Sequence, residues 1–278
     1  VTVHFEVLAT GLAFPEGPRW HDGALWFSDM YGGEVLRLVP GAAPEHVLAV
    51  PGSPSGLGFL PDGRLLVVSM HDRRVLRLDP DGVQVHADLS GVASWHTNDM
   101  LVDPAGRAYV GNFGDASAPP DPVTPANLAL VQPDGTVSVA APELHLANGM
   151  ALIHSGRTLV VAETRALPPR LTAFDVAVDG SLSGRRVLVE LGDALPDGIC
   201  ADAADQLWVA SPFTGEILRV TPDGAIAQRL AVPQPPYACM VGGADGRTLF
   251  VCTSDTWRPD EALAARAGQI LAVPVDGA

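Results

Sequence analysis

Pro15-Glu16-Gly17-Pro18-Arg19-Trp20-His21-Asp22-Gly23-Ala24-Leu25-Trp26-Phe27-Ser28-Asp29 reads as a strand, a tight turn and a second strand, with one carboxylate, Glu16, at the head of the first. Asp22-Gly23 is a residue pair that tolerates the positive φ angles of a two-residue hairpin. The pattern returns five more times, headed by Ser55-Gly56-Leu57, Asn98-Asp99-Met100, Asn148-Gly149-Met150, Asp197-Gly198-Ile199 and Ala238-Cys239-Met240. Each head leads into a short apolar strand. A turn follows (Asp62-Gly63, Ala105-Gly106, Ser155-Gly156, Ala204-Asp205, Asp245-Gly246), then a second apolar strand such as Leu65 to Val68 or Leu207 to Val209. Units of roughly 40–50 residues are the period of propeller blades.

Between these pairs lie hairpins with period-two alternation. Val75-Leu76-Arg77-Leu78, the turn Asp79-Pro80-Asp81-Gly82 and Val83-Gln84-Val85-His86 form the clearest; others start at Val35, Leu128, Leu171 and Ile217. Each unit is therefore four antiparallel strands, a to d. Glu261 to Arg266 has room for one short turn of helix. Gln269 to Val275 reads as a third strand with no fourth after it, and Thr2 to Ala9 as a strand with no partner before it. Pairing the two ends completes the last blade and removes an open edge. The expected fold is all-β: one domain, 1–278, a six-bladed β-propeller closed by its N-terminal strand.

The net charge of −15 argues against nucleic acid and anionic membrane surfaces as partners and leaves a small molecule. No apolar run reaches the ~18 residues of a membrane span. No basic-then-apolar leader opens the given sequence, so a cytoplasmic setting is expected. Cys200, Cys239 and Cys252 fall inside apolar strand patterns without C-x-x-C spacing and read as core thiols.

In a propeller, strand a lines the central channel, so its head stands at one channel mouth. Six residues far apart in sequence then belong to one place: Glu16, Ser55, Asn98, Asn148, Asp197 and Ala238. Four of them offer hard oxygen donors, two as carboxylates and two as amides. Two carboxylates gathered in a channel mouth call for a compensating cation. Oxygen ligands of mixed charge suit Ca2+ first; Mg2+, Mn2+ or Zn2+ are the other candidates, and a thiolate-type zinc site is excluded. The competing account is plain turn chemistry, since Asn-Gly and Asp-Gly are common hairpin turns. Register separates the two. Pro61-Asp62-Gly63 and Pro133-Asp134-Gly135 stand between paired strands within a unit, whereas Asp197 stands at the head of strand a, level with Glu16 and Asn148.

These residues resemble the gluconolactonase, senescence-marker-protein and luciferin-regenerating-enzyme family over essentially the whole chain. Pro15-Glu16-Gly17-Pro18-Arg19-Trp20, Thr97-Asn98-Asp99, Ala147-Asn148-Gly149-Met150, Pro196-Asp197-Gly198 and the C-terminal Ala267-Gly268-Gln269-Ile270-Leu271-Ala272-Val273-Pro274 carry the resemblance. It implies a six-bladed propeller with one catalytic divalent ion, held by Glu16, Asn148 and Asp197. Asn98 matches a position that contacts metal-bound water or substrate in sugar lactonases. In the similar diisopropyl-fluorophosphatase type of propeller the matching four residues bind the catalytic calcium directly. Two departures point away from an aldonolactone substrate. The Arg that often grips polyols two residues before the Asn is His96 here, and the Pro- and Ala-rich stretch Asn112 to Pro125 lacks a match for the acidic substrate contact, although Asp115 is near.

The expected activity is therefore metal-dependent opening of a lactone. Asp197 is the expected general base or proton carrier, with direct nucleophilic attack by Asp197 as the alternative. His96, beside Asn98, is the second catalytic candidate and a substrate contact, as is Asn98 itself. His145, three residues before Asn148, follows the same logic, and His71 sits in a loop of the same type. Tyr31, Phe113, Thr164, Phe213, Tyr237 and Trp257 are the expected pocket walls, and these aromatic loops suit a less polar substrate than gluconolactone. The alternatives are phosphotriester hydrolysis on the same ligands, a propeller that only binds a ligand or protein, and a metal-free strictosidine-synthase-like propeller.

Overall fold

Leu65-Leu66-Val67-Val68 is buried along its whole length, whereas Ile226-Ala227-Gln228-Arg229-Leu230-Ala231 buries only Leu230. That gradient, apolar on both faces for inner strands and on one face for outer strands, is what stacked four-stranded sheets require. The computed structural model of the chain describes residues 4–118 and 121–275.

The first strand, β1 (Glu6–Leu12), is used at the end of the chain. The first complete run is β2 (Pro15–His21), β3 (Ala24–Asp29), β4 (Glu34–Leu38) and β5 (Glu45–Ala49). Next come β6 (Pro54–Phe59), β7 (Leu65–Ser69), β8 (Arg74–Asp79) and β9 (Gly82–Asp88). They are followed by β10 (Thr97–Val102), β11 (Ala108–Asn112), β12 (Ala126–Val131) and β13 (Val137–Leu144), and by β14 (Ala147–Ile153), β15 (Thr158–Glu163), β16 (Arg170–Val176) and β17 (Leu182–Glu190). The fifth run is β18 (Ile199–Ala201), β19 (Leu207–Ser211), β20 (Glu216–Val220) and β21 (Ile226–Ala231). The last is β22 (Pro236–Gly242), β23 (Thr248–Thr253) and β24 (Gly268–Pro274), with α1 (Pro259–Ala265) between the latter two. Each run forms one four-stranded sheet, and the last has the order β1-β24-β23-β22. These are the six blades of a β-propeller. Among the described residues no helix is long and apolar enough to cross a membrane.

The chain divides into two compact units, 1–54 with 194–278, and 55–193, with three sheets in each. In the first unit β1 pairs antiparallel with β24, Glu6 opposite Ala272 and Val7 opposite Leu271, so the two ends share a blade as expected. The strand begins and ends later than the expected Thr2 to Ala9; Thr2 itself lies outside the described residues. The helix starts at Pro259 rather than Glu261, because a proline fits the first turn of a helix, where no intrahelical partner for its missing N–H is needed. Cys200, Cys239 and Cys252 are buried in the cores of this unit and form no disulfide among the described residues. In the second unit Tyr109, Leu128, Leu130, Leu144, Met150, Leu159, Val161 and Phe174 make one core.

The turn glycines Gly63 and Gly135 and the head glycines Gly56 and Gly198 serve different ends. Gly63 and Gly135 hold φ of 86° and 87°, as hairpin glycines do. Gly198 needs no left-handed backbone. Instead a Cβ there would meet the Ala238 Cβ at 2.5 Å, so the glycine lets two neighbouring blades of the first unit close up. Gly56 does the same in the second unit, where a Cβ would lie 2.2 Å from the Met100 nitrogen.

Candidate metal centre

The strand heads are not regular β-structure. Register breaks fall between Glu16 and Arg19, between Thr97 and Met100, and between Ala147 and Met150, in each case on strand a opposite an unbroken strand b. A bulge inserts backbone on one strand and re-aims its side chains. Here the bulged segments begin at Glu16 and enclose Asn98 and Asn148, three of the four expected ligands.

In the first unit Glu16 is 7 % exposed, and its Oε2 accepts the Gly17 N–H at 2.8 Å. Asp197 is held by its backbone: its N–H donates to Ala210 O at 2.9 Å, and the next N–H, of Gly198, donates to Tyr237 O at 2.8 Å. Tyr31 and Tyr237 flank both carboxylates. Burial first, then the negative charge of Glu16 and Asp197, pushes both phenols far above their ordinary range, so they stay neutral. Phe14 packs between the two tyrosines, with ring centroids 4.8 Å from Tyr31 and 4.6 Å from Tyr237. Tyr31 Oη donates to Trp257 O at 2.7 Å, tying the segment before α1 to this cluster. Trp257 itself is 38 % exposed and Phe213 57 %.

In the second unit Ser55 Oγ donates to Asn98 Oδ1 at 3.2 Å, so the heads of two blades touch. Asn148 Nδ2 donates to Thr164 Oγ1 at 3.1 Å; this uses the amide nitrogen and sets the orientation of its carbonyl oxygen. His96 stacks on Trp95 at 4.8 Å and meets His71 at 4.5 Å between ring centroids. Burial, then His71 and Arg73, lowers the His96 pKa, so its ring is neutral at pH 7. Phe113 is joined to it through its N–H, which donates to His96 O at 2.9 Å. Asp115 turns into its own loop, accepting from Ser117 N and from the Thr124 backbone and hydroxyl. Pro119 and Pro120 of that loop lie outside the described residues. His145 packs against the fully buried carboxylate of Glu163, its Nδ1 3.5 Å from Glu163 Oε2.

The model of the SMP-30/gluconolactonase/LRE-like region matches residues 14–255. The chain belongs to that family. Among its relatives, regucalcin of Danio rerio is 33% identical over 263 residues, 90% of this chain and 85% of that protein. Pentonolactonase XacC of Haloferax volcanii is 28% identical over 253 residues, 89% and 84% of the two chains. The crystal structure of regucalcin, a calcium-binding protein, from Agrobacterium tumefaciens superposes with a TM-score of 0.82 at 21% identity, covering 100% of this chain and 96% of that one.

For a member of this family the donor chemistry is informative. Among the described residues no three His, Cys, Asp or Glu side chains gather to hold a metal. Glu16 and Asp197 are carboxylates and Asn98 and Asn148 amides, donor types that suit Ca2+ better than a borderline or soft ion. Three features escaped the sequence reading: the bulges, the Ser55 hydroxyl on Asn98, and Glu163. An acid closing strand b, as Asp29 also does, was the available signal for the last.

Proposed function

We propose that this protein is a divalent-metal-dependent hydrolase that opens a lactone, with all six blades acting as one domain. Glu16, Asn98, Asn148 and Asp197 hold the cation, Ca2+ by preference, and small molecules are its substrates. Family membership supports lactone hydrolysis, and a regucalcin and a pentonolactonase stand among the relatives. The fold neighbour from Agrobacterium is a calcium-binding protein. The observation that supports the reading is that Glu16, Asn98 and Asn148 stand at register breaks of inner strands, as the Ala238 head also does.

When bound, the ion supplies a Lewis acid that polarises the lactone carbonyl. The Asp197 carboxylate takes the proton from the attacking water, or itself attacks the carbonyl carbon. The neutral His96 ring, stacked on Trp95, accepts or donates one hydrogen bond to substrate. Where an Arg would grip a polyol, this imidazole and the aromatic group of Phe14, Tyr31 and Tyr237 favour a less polar lactone.

The test is to strip the protein with chelator and titrate Ca2+, Mg2+, Mn2+ and Zn2+ against sugar, aliphatic and aryl lactones. Turnover restored by one ion, strongest on the less polar lactones, is expected. Failure of every ion to bind overturns the ligand set, and tight binding without turnover overturns the hydrolase. Asp197→Ala is expected to lower kcat by roughly 100- to 10,000-fold; near-normal turnover removes Asp197 from the mechanism.

A further inference from the structure

His145 is placed as a proton carrier is placed. Its Nδ1 is buried without a hydrogen-bond partner, 3.5 Å from Glu163 Oε2, while about a third of the side chain, 36 %, remains exposed. Glu163 has no exposure at all. Burial pushes its pKa up, but hydrogen bonds from Arg170, Thr172 and the His145 N–H overcome that and pull it down to about 2. The imidazole thus rests one nitrogen against a carboxylate that keeps its charge, and turns the rest of its ring outward.

The backbone around it is fixed at some cost. Glu143 and Leu146, on either side of His145, hold left-handed φ of 58° and 57°. Such angles are unfavourable by about 1–2 kcal/mol for residues with a Cβ. The turn that follows β15 pins Leu146 and His145: Thr164 N donates to Leu146 O at 3.3 Å, and Arg165 N donates to His145 O at 3.2 Å. Thr164 is also the residue whose hydroxyl holds the Asn148 amide. Two hydrogen-bonded steps through Thr164 therefore join Leu146, the neighbour of His145, to the strand head at Asn148.

We infer that His145 is the acid that protonates the leaving oxygen when the lactone ring opens, with Glu163 as its positioning residue. This rests on the lactonase reading. As the acyl C–O bond breaks, the electron pair stays on the ring oxygen, which takes a proton from His145 Nε2. Water has meanwhile added its oxygen to the acyl carbon and passed its proton to Asp197, from which it returns to solvent, while solvent returns one proton to His145 Nε2. The sum is one water added across one ester bond, giving a hydroxy acid. The Glu163 carboxylate, 3.5 Å behind Nδ1, holds the ring's orientation while Nε2 gives up and regains its proton.

Leaving-group dependence provides the test. An aliphatic lactone expels an alkoxide that needs the proton, whereas dihydrocoumarin expels a phenolate that does not. For His145→Gln and His145→Ala, loaded with the ion that supports the wild type, kcat on an aliphatic δ-lactone is expected to fall roughly 100-fold. Loss on dihydrocoumarin stays within about tenfold, and thermal stability is unchanged. Glu163→Gln, if it folds, repeats the same split with a smaller loss. Equal losses on both lactones make His145 structural and overturn the inference, as does undiminished turnover of the aliphatic lactone. If the wild type opens neither lactone with any ion, the parent reading has failed first and this role falls with it; that result is seen before any variant is made.

Discussion

Asp29 and Glu163 occupy the same slot in two different blades. Each ends a second strand, each is fully buried, and each caps the loop that leads into a first strand. Asp29 spends its oxygens on that loop: Oδ2 accepts Ala13 N at 3.0 Å, Oδ1 accepts Phe14 N at 2.7 Å, and Arg266 reaches Oδ2 at 3.4 Å. Glu163, one methylene longer, takes a single backbone N–H, that of His145, and is otherwise surrounded by Arg170, Arg185 and the Thr172 hydroxyl. Ala13 occupies the position that His145 fills. The same capping device is purely structural in one blade, and in the other holds a charged oxygen behind a titratable ring.

The comparison breaks first at Glu163→Ala. Removing one partner of a buried ion network leaves Arg170 uncompensated and is expected to cost about 3–5 kcal/mol, read from denaturant unfolding; a loss near zero would mean the arginines relax into solvent. The pH dependence of stability follows in sign. Because the folded carboxyl titrates at about 2 rather than at its ordinary 4.5, its contribution is complete above 4.5 and is lost as pH falls toward 2. Glu163→Gln is expected to flatten the stability curve between pH 4.5 and 2, and an unchanged acid slope would remove Glu163 as its source. Asp29→Asn comes next, with about 1–3 kcal/mol for a backbone N–H left without its acceptor. Whatever it does to turnover through Glu16, it is expected to lower aliphatic and aryl lactone hydrolysis by the same factor; a leaving-group split there would erase the distinction between the two slots. Smallest is Arg186→Ala. Its ion pair with Asp175 at 2.7 Å is 45 % and 60 % exposed on the two sides, and exposed pairs contribute about 0–1 kcal/mol.

The strands and their heads were legible because each blade states them independently: an apolar run, a turn residue and a polar head recur in one order. Asp62 and Asp134 read correctly as turns, and Gly198 shows why Asp197 is different. The bulges at Glu16, Asn98 and Asn148 were not legible, because a bulge is a mismatch between two strands and no single strand encodes it. Glu163 was hidden for a related reason. Arg170 faces it only through the β15–β16 register, and Arg185 arrives from β17, 22 residues on. The loop ends were placed by composition and so drifted by a few residues, as at β1 and α1.

The pairing of Glu6 with Ala272 has a consequence for the order of assembly. Of the described strands β1 is made first, yet its sheet partner β24 is made after all the others. β1 therefore waits, an unpaired edge, while five blades acquire all their strands, and loop closure across almost the whole chain is the final step. The last blade is the one sheet that β24 must join to its first-made strand. Loss of β1 and loss of β24 therefore strike the same sheet.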